Sequence, residues 1–428
     1  MATEDARYRQ TSQYQLWSFS PGQLAAMRET TNAAARARIA ERLSYSQPPS
    51  AAASSANTPD PSGSTPAPGP ALPEFLTPAE EAQLVAFFTS ELLRAGDHAE
   101  MSDEIKATAA VFFRRFYVTN SIMTYPPQDM LIVALFFGCK AEGSFVSISE
   151  FGRTFGKEHP EEILAGEFLL CQGLRFALDV KHPFRALRGA IMELATLPDI
   201  DPARLGAAET RAREILRFSP FITDAYFHFT PSQIMLAALS LADRGLAERF
   251  ITKTFHYVAP ADNNSSGAGT PVADSGGGGS NTPSLSTKKG RANEDNKAEI
   301  SGCQVRDKVL GAIEACRDML SRELPERREH WTNKAVIKTQ IAPLRKKLKA
   351  CRDPDRWNLV ELQRRRREQA ARHADSEDED GGRPGKGSLE ADGAVFGEPL
   401  GAAKRRKVEG GKDGKGGGGL GDPFGPPL

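Results

Sequence analysis

The stretch Met130–Lys140 (MLIVALFFGCK) decides the fold, because ten apolar or small residues run without a charge and end at a lysine. Such a run is too short to span a bilayer, which takes roughly 20 residues. A segment that is apolar on every side is buried, either as a helix or as a strand. Pro127 precedes the run and can occupy a first helical position. Helical spacing recurs on both sides, so the pattern predicts a central helix wrapped by others, with Lys140 where that core would meet a partner.

The composition favours compact helical regions that alternate with disordered ones. Only 39% of the 428 residues are hydrophobic, and the 38 glycines and 29 prolines are concentrated in a few stretches. Lys+Arg and Asp+Glu both number 55, so net charge gives no global attraction to nucleic acid or to a membrane.

The five cysteines form no CxxC pair, which suits a reducing compartment and argues against disulfides and structural zinc. We expect no signal peptide, because no apolar segment follows the basic residues of the N-terminus.

Three motifs of one kind mark predicted helix starts, at Ser20–Gln23, Thr77–Glu80 and Thr230–Gln233. Each places a hydroxyl residue at the N-cap, a proline at the first helical position and Glu or Gln at the third, which is a capping box. Ser102 is predicted to cap another helix, followed by two acidic residues that favour the positive end of its dipole.

Apolar periodicity predicts two consecutive runs of five helices. The first run comprises 78–95, 103–118, 127–140, 148–156 and 160–174. The second run comprises 183–197, 202–219, 231–244, 246–256 and 300–323. The third helix of the second run (IMLAALSLA) is again apolar on all sides. Two five-helix units, each around a buried third helix, indicate an internal duplication, although the two halves share little sequence identity.

The remaining segments complete the expected organisation. The predicted parts are an N-terminal extra-helix region at 1–45, a disordered linker at 46–73, a first repeat at 74–178, a second repeat at 179–323, C-terminal basic helices at 324–373 and a disordered tail at 374–428. The helix at 21–43 has a thin apolar stripe and should dock on the main body. A Gly/Ser/Asn-rich insertion at 259–298 should be a solvent-exposed loop. Pro343 should kink or divide the basic helical stretch around it.

Four segments resemble the cyclin H family, the cyclins of the kinase module of transcription factor IIH, and the resemblance is fungal in character. They lie at 12–20 (SQYQLWSFS), 109–147, 161–187 and 222–239. Together with 300–350, and without the linker, the 259–298 insertion and the tail, the resemblance extends over about two thirds of the chain. The RRFY–NSIM–YPP and TDAY–TPSQI combinations look specific to this subfamily. The resemblance implies an all-α fold of two consecutive five-helix cyclin-box repeats, with additional N- and C-terminal helices and disordered linkers.

The resemblance also implies that Lys140 and Glu167 hold the C-helix region of a kinase through its backbone. A lysine that ends a buried helix and a glutamate that begins an apolar run can form a polar clamp in an apolar surface. Alternatively, Lys140 only complements the C-terminus of its own helix and Glu167 lies on a solvated face. By family position, four further residues line the same groove, although each could be plain core: Phe137, Ala141, Cys171 and Phe176.

By the same resemblance, docking would favour the inward position of the kinase C-helix, in which its glutamate pairs with the ATP-binding lysine. The chain would supply no catalytic group and hold no cofactor or metal. The complex would act in the nucleus on the C-terminal repeats of RNA polymerase II. The implied partners are a cyclin-dependent kinase, a RING-finger assembly subunit and core transcription factor IIH, with no direct nucleic acid and no membrane expected.

No motif in the sequence points to an enzyme. The chain contains no P-loop, no HExxH, no GxSxG and no dinucleotide fingerprint. The basic segment 361–372 could bind nucleic acid through phosphates, but no aromatic residues alternate with its charges, and a solvated helix face is favoured. Four consecutive residues resemble a nuclear-import signal: Lys404, Arg405, Arg406 and Lys407.

Two alternative functions stay open. The first is a general transcription factor built from two cyclin folds that binds promoter DNA, but that family normally carries an N-terminal zinc ribbon, and this chain has no CxxC to build one. The second is a cyclin paired with a mediator or elongation kinase, against which the WSF and TDAY–TPSQI segments argue.

Overall fold

The computed structural model describes residues 4–45, 72–157, 159–254 and 308–379, and every regular element among them is a helix. The helices are α1 (Glu4–Arg9), α2 (Ser12–Trp17), α3 (Pro21–Tyr45), α4 (Pro78–His98), α5 (Asp103–Thr119), α6 (Pro127–Ala141), α7 (Ile148–Thr154), α8 (Pro160–Gly173), α9 (Phe184–Leu194), α10 (Pro202–Leu216), α11 (Ser219–Ile222), α12 (Ala225–His228), α13 (Pro231–Ala242), α14 (Arg244–Thr254), α15 (308–321), α16 (Arg328–Thr332), α17 (Lys334–Val336), α18 (Ala342–Ala350) and α19 (Leu359–Glu379). The all-α prediction is confirmed.

Several predicted segments lie outside the described residues: most of the linker, the whole insertion at 259–298, and Lys404, Arg405, Arg406 and Lys407. The chain up to Ala371 forms one compact unit. Residues from Arg372 onward belong to a second unit, of which the structure describes only the last turns of α19.

The predicted caps are confirmed at all four helix starts. The Ser20 N–H donates to Gln23 Oε1 at 2.9 Å, and the Gln23 N–H donates to Ser20 Oγ at 3.3 Å. The same reciprocal pairs form in the capping boxes that begin α4 and α13. At α5, Ser102 Oγ accepts from the Ile105 N–H at 3.3 Å. Because a cap satisfies N–H groups that the helix leaves unpaired, each is worth about 1 kcal/mol.

Helix α6 is the centre of the first run, as its sequence predicts. Met130, Ala134 and Leu135 are fully buried, and α4, α5 and α8 all pack against this helix. Gly138 allows α5 to approach closely, because a Cβ at this position would lie 3.1 Å from the Ile105 carbonyl oxygen. The central apolar run is therefore covered by neighbouring helices on several sides at once.

Helix α13 has the same position in the second run, where it packs against α9, α10 and α14. The connection before α13 differs from prediction. The helix expected over 202–219 ends at Leu216, and two four-residue helices, α11 and α12, follow it. A proline inside a helix removes one hydrogen bond and clashes with the carbonyl four residues earlier, so a helix continued through Pro220 would break at Leu216. The segment instead turns inward, and Phe221 and Tyr226 are buried.

Asp224, between α11 and α12, joins three parts of the molecule. Both guanidinium nitrogens of Arg28 in α3 donate to its carboxylate, at 2.9 and 2.7 Å, and Arg114 in α5 donates to the same carboxylate. Arg114 is 8% exposed and also donates to the Phe221 and Ile222 carbonyls. Burial acts to raise the pKa of Asp224, but the hydrogen bonds and charges of Arg28 and Arg114 hold it well below its usual range.

The N-terminal helices dock on the main body, as expected. Trp17 is fully buried, and the guanidinium groups of Arg115 and Arg175 lie 5.3 and 5.7 Å from its ring centroid. The Phe19 N–H donates to the Phe227 carbonyl at 2.8 Å. Residues from the N-terminus and from both runs therefore meet at one buried indole ring.

The C-terminal helices follow the prediction except at their end. A π-helical turn at Ile337–Ile341 separates α17 from α18, and Pro343 lies in the first turn of α18, where a proline is tolerated. We expected disorder from 374, but α19 continues as a helix to Glu379. Its sequence is rich in helix formers, and Glu361 pairs with the arginines three and four positions later.

We expect Asp224→Asn to destabilise the fold by about 3 kcal/mol, because it leaves the buried guanidinium of Arg114 without a counter-charge. Urea unfolding at neutral pH measures the effect. The matched control is Asp199→Asn, which removes the partner of Arg249 at an exposed site and should leave the midpoint unchanged. Equal midpoints for wild type and Asp224→Asn would show that the junction contributes nothing to stability.

We expect Glu81→Gln to stabilise the protein at high pH only. Burial raises the pKa of the half-buried Glu81 from 4.5 to about 7, although Ser121 and Asn32 donate hydrogen bonds to it. The pKa of Glu81 is higher in the folded protein than in the unfolded chain. The stability that protonated Glu81 contributes is therefore fully present below pH 4.5 and is lost as the pH rises to about 7. The variant should match wild type at about pH 4 and exceed it by up to about 3 kcal/mol at about pH 8.

Glu80 provides a control of opposite sign for this experiment. Burial acts to raise its pKa, but hydrogen bonds from Thr77 and Lys347 lower it below its ordinary value. The stability that ionised Glu80 contributes is therefore present at neutral pH and is lost as the pH falls. Urea midpoints should show Glu80→Gln less stable than wild type at about pH 8, with the difference shrinking in acid. If both variants changed stability in the same direction at about pH 8, one of the two assignments would be wrong.

Candidate functional site

Lys140 and Glu167 form an ion pair at the surface between α6 and α8. Lys140 lies in the last turn of α6 with its side chain 44% exposed, and Glu167 lies within α8 with its side chain 20% exposed. The Lys140 ammonium also lies 5.0 Å from the centroid of the Phe136 ring. Lys140 therefore does more than complement its own helix, because it links α6 to α8 through Glu167.

Apolar side chains surround this ion pair on the face of α8. Leu164 is 41% exposed and Phe168 is 58% exposed, and they share a face with Glu167 and Cys171 at the spacing i, i+3, i+4, i+7. Exposed large apolar side chains grouped in this way mark interaction surfaces. Lys140, Leu164, Glu167, Phe168, Cys171 and Phe176 are called the clamp surface below.

The backbone after α8 turns Phe176 outward. Arg175 and Phe176 have φ values of +54° and +56°, in the left-handed region that residues other than glycine rarely adopt. Each such residue costs of order 1 kcal/mol, so the surrounding structure must hold the turn in place. Phe176 is 60% exposed as a result.

The predicted groove residues divide into two groups. Ala141 is exposed at the end of α6, Phe176 is exposed after α8, and Cys171 is half-buried. Burial raises the pKa of the Cys171 thiol, and the charge of Glu167 raises it further. Phe137 is only 8% exposed, and its ring centroid lies 5.6 Å from that of Phe112. The core alternative therefore describes the position of Phe137, beneath the surface rather than on it.

Leu164 and Phe168 were not predicted as site residues. Phe168 belongs to the apolar run that follows Glu167, and its helical position places it on the same face as Glu167 and Cys171. Phe145, in the loop after α6, is 93% exposed and was also missed. A short apolar pair in a loop, between Ser144 and Ser147, gives no periodic signal that could have singled out Phe145.

Gly166 fixes the position of α8 against its neighbours. A Cβ at this residue would lie 2.6 Å from Val133 Cγ2 in α6 and 3.4 Å from Leu359 Cδ1 at the start of α19. The absence of a side chain therefore lets α8 pack closely on α6, with the buried Leu359 in contact at the same point. This packing holds the two helices that carry the ion pair in a fixed relation.

Among the described residues, no group of three or more His, Cys, Asp or Glu side chains could hold a metal ion. In the same part of the chain, no helix has the length and apolarity needed to cross a membrane. Burial, with the charge of Arg115, lowers the pKa of His182 to about 3, so this histidine is neutral. Its ring nitrogens lie 2.7 Å from Thr108 Oγ1 and 2.8 Å from the Tyr226 hydroxyl, which is a structural role.

Comparisons with known proteins agree with this architecture. A family model described as the cyclin C-terminal domain matches residues 182–321. A chain in a solved structure of the CAK complex of Chaetomium thermophilum bound to ATP-gamma-S is 67% identical, with a TM-score of 0.69. That similarity covers 87% of this chain and 97% of the other.

Curated relatives are similar over shorter stretches. Cyclin CCL1 of Saccharomyces cerevisiae is 30% identical over 59% of this chain and 62% of its own length. Cyclin mcs2 of Schizosaccharomyces pombe is 34% identical over 39% of this chain and 52% of its own length. Cyclin-H of Xenopus laevis is 33% identical over 40% of this chain and 54% of its own length. This chain thus spans between half and two thirds of the length of these three curated relatives. Together with the helical repeats, these similarities show that the chain belongs to the cyclin H family.

Proposed function

We propose that this chain is the regulatory subunit of a cyclin-dependent kinase in the transcription factor IIH kinase module, and that it binds the kinase through the clamp surface. The observation that carries this proposal is the Lys140–Glu167 ion pair among exposed apolar side chains on α6 and α8. The similarity to a chain of a CAK complex supports a kinase as the partner. The chain itself supplies no catalytic group in this proposal.

The clamp surface combines a polar contact with apolar area. The Lys140 ammonium can donate to a backbone carbonyl of the kinase, and the Glu167 carboxylate can accept from a backbone N–H. Because their ion pair links the two groups before binding, little side-chain entropy is lost when the partner arrives. A polar pair that contacts backbone fixes the register of the partner helix and depends little on its side chains.

The apolar side chains supply most of the binding free energy. Full burial of a Leu or Phe side chain contributes about 1.5–3 kcal/mol. Leu164, Phe168 and Phe176 are between 41% and 60% exposed, so covering them yields about 3–4 kcal/mol in total. An exposed ion pair contributes only about 0–1 kcal/mol, although it becomes more important once water is excluded. The apolar area therefore governs affinity, and the ion pair governs geometry.

Docking activates the kinase by shifting an existing equilibrium. In the free kinase the C-helix lies outward, and binding favours the inward state, in which the C-helix glutamate pairs with the ATP-binding lysine. Moving a two-state equilibrium from 1:99 to 99:1 requires about 5.5 kcal/mol of differential binding. The apolar side chains and the ion pair together approach this value if they contact the C-helix only in its inward position.

The wider context follows from the same proposal. The complex phosphorylates the C-terminal repeats of RNA polymerase II in the nucleus during transcription initiation. A RING-finger assembly subunit and core transcription factor IIH are the further partners. These assignments rest on membership of the cyclin H family and on the similarity to a chain of a CAK complex.

We expect the double variant Lys140→Ala/Glu167→Ala to activate the cognate kinase at least about tenfold less than wild type at limiting cyclin, because one lost backbone clamp costs about 1.4 kcal/mol or more. The assay measures phosphorylation of a polymerase C-terminal-repeat peptide. Arg244→Ala/Glu248→Ala removes an exposed ion pair on α14 and should activate normally. Full activation by both variants would refute the clamp role and would leave the apolar side chains as the binding determinant.

We expect Phe168→Ala to raise the dissociation constant for the kinase about tenfold or more, because an exposed aromatic side chain leaves no cavity in the fold when it is truncated but removes an apolar anchor. Calorimetric titration measures the constant. Met192→Ala on α9, which truncates a side chain that is 66% exposed, is the matched control and should bind as wild type. Equal losses for the two variants would show that Phe168 is not a specific anchor.

The kinase role itself has a clear counter-result. If the chain does not activate the cognate kinase with the assembly subunit present, and instead binds one promoter sequence tightly at physiological salt, the alternative of a two-cyclin-fold general transcription factor holds. Native partner identification distinguishes a different transcriptional kinase from the proposed one.

A further inference from the structure

Residues 334–350 (KAVIKTQIAPLRKKLKA) form the most one-sided charged segment among the described helices. They contain six lysines or arginines and no acidic residue, in a chain whose basic and acidic residues number 55 each. The segment is helical from end to end, because α17 continues through the π-helical turn into α18. The charge is therefore arranged along one helical rod.

The helix divides this charge between two faces. Ile337, Ile341, Leu344 and Leu348 recur at i, i+4, i+7 and i+11 and pack toward the core. Lys347 faces inward too, and its ammonium donates to Glu74 at 2.6 Å and to Glu80 at 2.9 Å. The other five cations are all exposed and are called the basic stripe: Lys334, Lys338, Arg345, Lys346 and Lys349.

The fold does not use the basic stripe. Within the part of the chain that the structure describes, no acidic side chain lies within ion-pair distance of any of its five members. Other exposed cations have such partners, as Arg364 and Arg365 do with Glu361. Like charges four residues apart on one helix repel each other, as Lys334 and Lys338 do here. The repulsion within such pairs opposes the stability of the helix, and an external anion would relieve it.

We propose that the basic stripe binds the phosphodiester backbone of double-stranded nucleic acid without sequence preference. From Lys334 to Lys349 the helix rises about 22 Å. Phosphates of one strand are spaced about 3.4 Å apart along a duplex axis, so the stripe spans about six of them. Because the strand winds around the axis, the stripe contacts only those phosphates on the side of the duplex that faces it, and these contacts provide affinity rather than base readout.

The composition of the segment selects a duplex over other polyanions. Residues 334–350 contain no aromatic side chain on which the bases of a single strand could stack. The other exposed residues of the segment are small or polar, namely Ala335, Thr339, Gln340, Ala342, Pro343 and Ala350, so no apolar pocket would receive the side chains of an acidic peptide. Four of the five cations are lysines, which bind phosphate as point charges and impose no bidentate geometry, as suits contact without base readout.

This surface is separate from the proposed kinase contact and changes one expectation from the sequence. The sequence favoured no direct contact with nucleic acid, and it drew attention to 361–372 rather than to 334–350. In the structure, two of the arginines in 361–372 pair with Glu361, and the unpaired charges of 334–350 are the stronger candidate. The formal net charge of zero does not conflict with a local contact, because screening confines the attraction to about 10 Å.

Salt dependence of duplex binding tests the proposal on the full-length chain. Fluorescence anisotropy with a random-sequence DNA duplex gives the slope of log K against log salt between about 50 and about 200 mM. Arg345→Gln/Lys349→Gln should reduce the magnitude of that slope by about 2, because each lost phosphate contact releases about one counterion less. Arg185→Gln/Arg188→Gln on α9 removes the same charge from exposed positions and should leave the slope unchanged.

Three results would overturn the proposal. The first is an equal slope for the two double variants. The second is that wild type shows no measurable binding to the duplex at about 50 mM salt. The third is that a poly-glutamate peptide displaces the labelled duplex at a lower concentration of charge than unlabelled duplex does. Kinase activation by Arg345→Gln/Lys349→Gln should equal that of wild type. The two measurements therefore test this proposal and the kinase role independently of each other. A circular dichroism spectrum like that of wild type shows that the variant is folded.

Discussion

The carboxylate of Asp224 is the constraint on which the rest of the structure depends. It accepts from Arg28 in α3 and from Arg114 in α5, while it belongs to the segment that leads into α13. A buried guanidinium without a counter-charge is strongly unfavourable, so only one relative arrangement of these three parts satisfies Arg114. Apolar packing between helices would tolerate several arrangements, but a buried ion pair with defined hydrogen bonds does not. We therefore interpret this junction as the element that selects one arrangement of the helices.

A fixed arrangement matters because the clamp surface belongs to the outside of the same core. Lys140 ends the central helix α6, and Glu167 lies on α8, which Gly166 brings into close contact with Val133 and Leu359. Displacing either helix would separate the ion pair. The strained turn at Arg175 and Phe176 depends on the same support, since left-handed residues other than glycine persist only where their surroundings hold them. A preformed surface loses less entropy on binding than a flexible one.

Local signals in the sequence predicted much of this fold, and long-range pairs escaped prediction. Capping boxes and apolar periodicity fixed the starts of α3, α4, α5 and α13, because the groups involved lie within a few residues of one another. Asp224 and Arg28 are 196 residues apart, and no pattern at either position names the other. The Lys140–Glu167 pair was anticipated through resemblance to a family. For Phe137 the sequence left open both a groove position and plain core, and the residue is only 8% exposed.

The distribution of charge explains how the two proposed contacts, which differ in kind, are compatible on one chain of zero formal net charge. The clamp surface carries one ion pair and several apolar side chains, so its contacts act only at close range. The basic stripe carries five unpaired cations and small neighbours, so its attraction extends about one Debye length. Each surface suits only its own partner. Apolar side chains add nothing to phosphate binding, and a row of lysines does not fix the register of a kinase helix. The segregation of charge along the chain, rather than its net charge, is therefore what makes the proposed kinase and duplex contacts compatible.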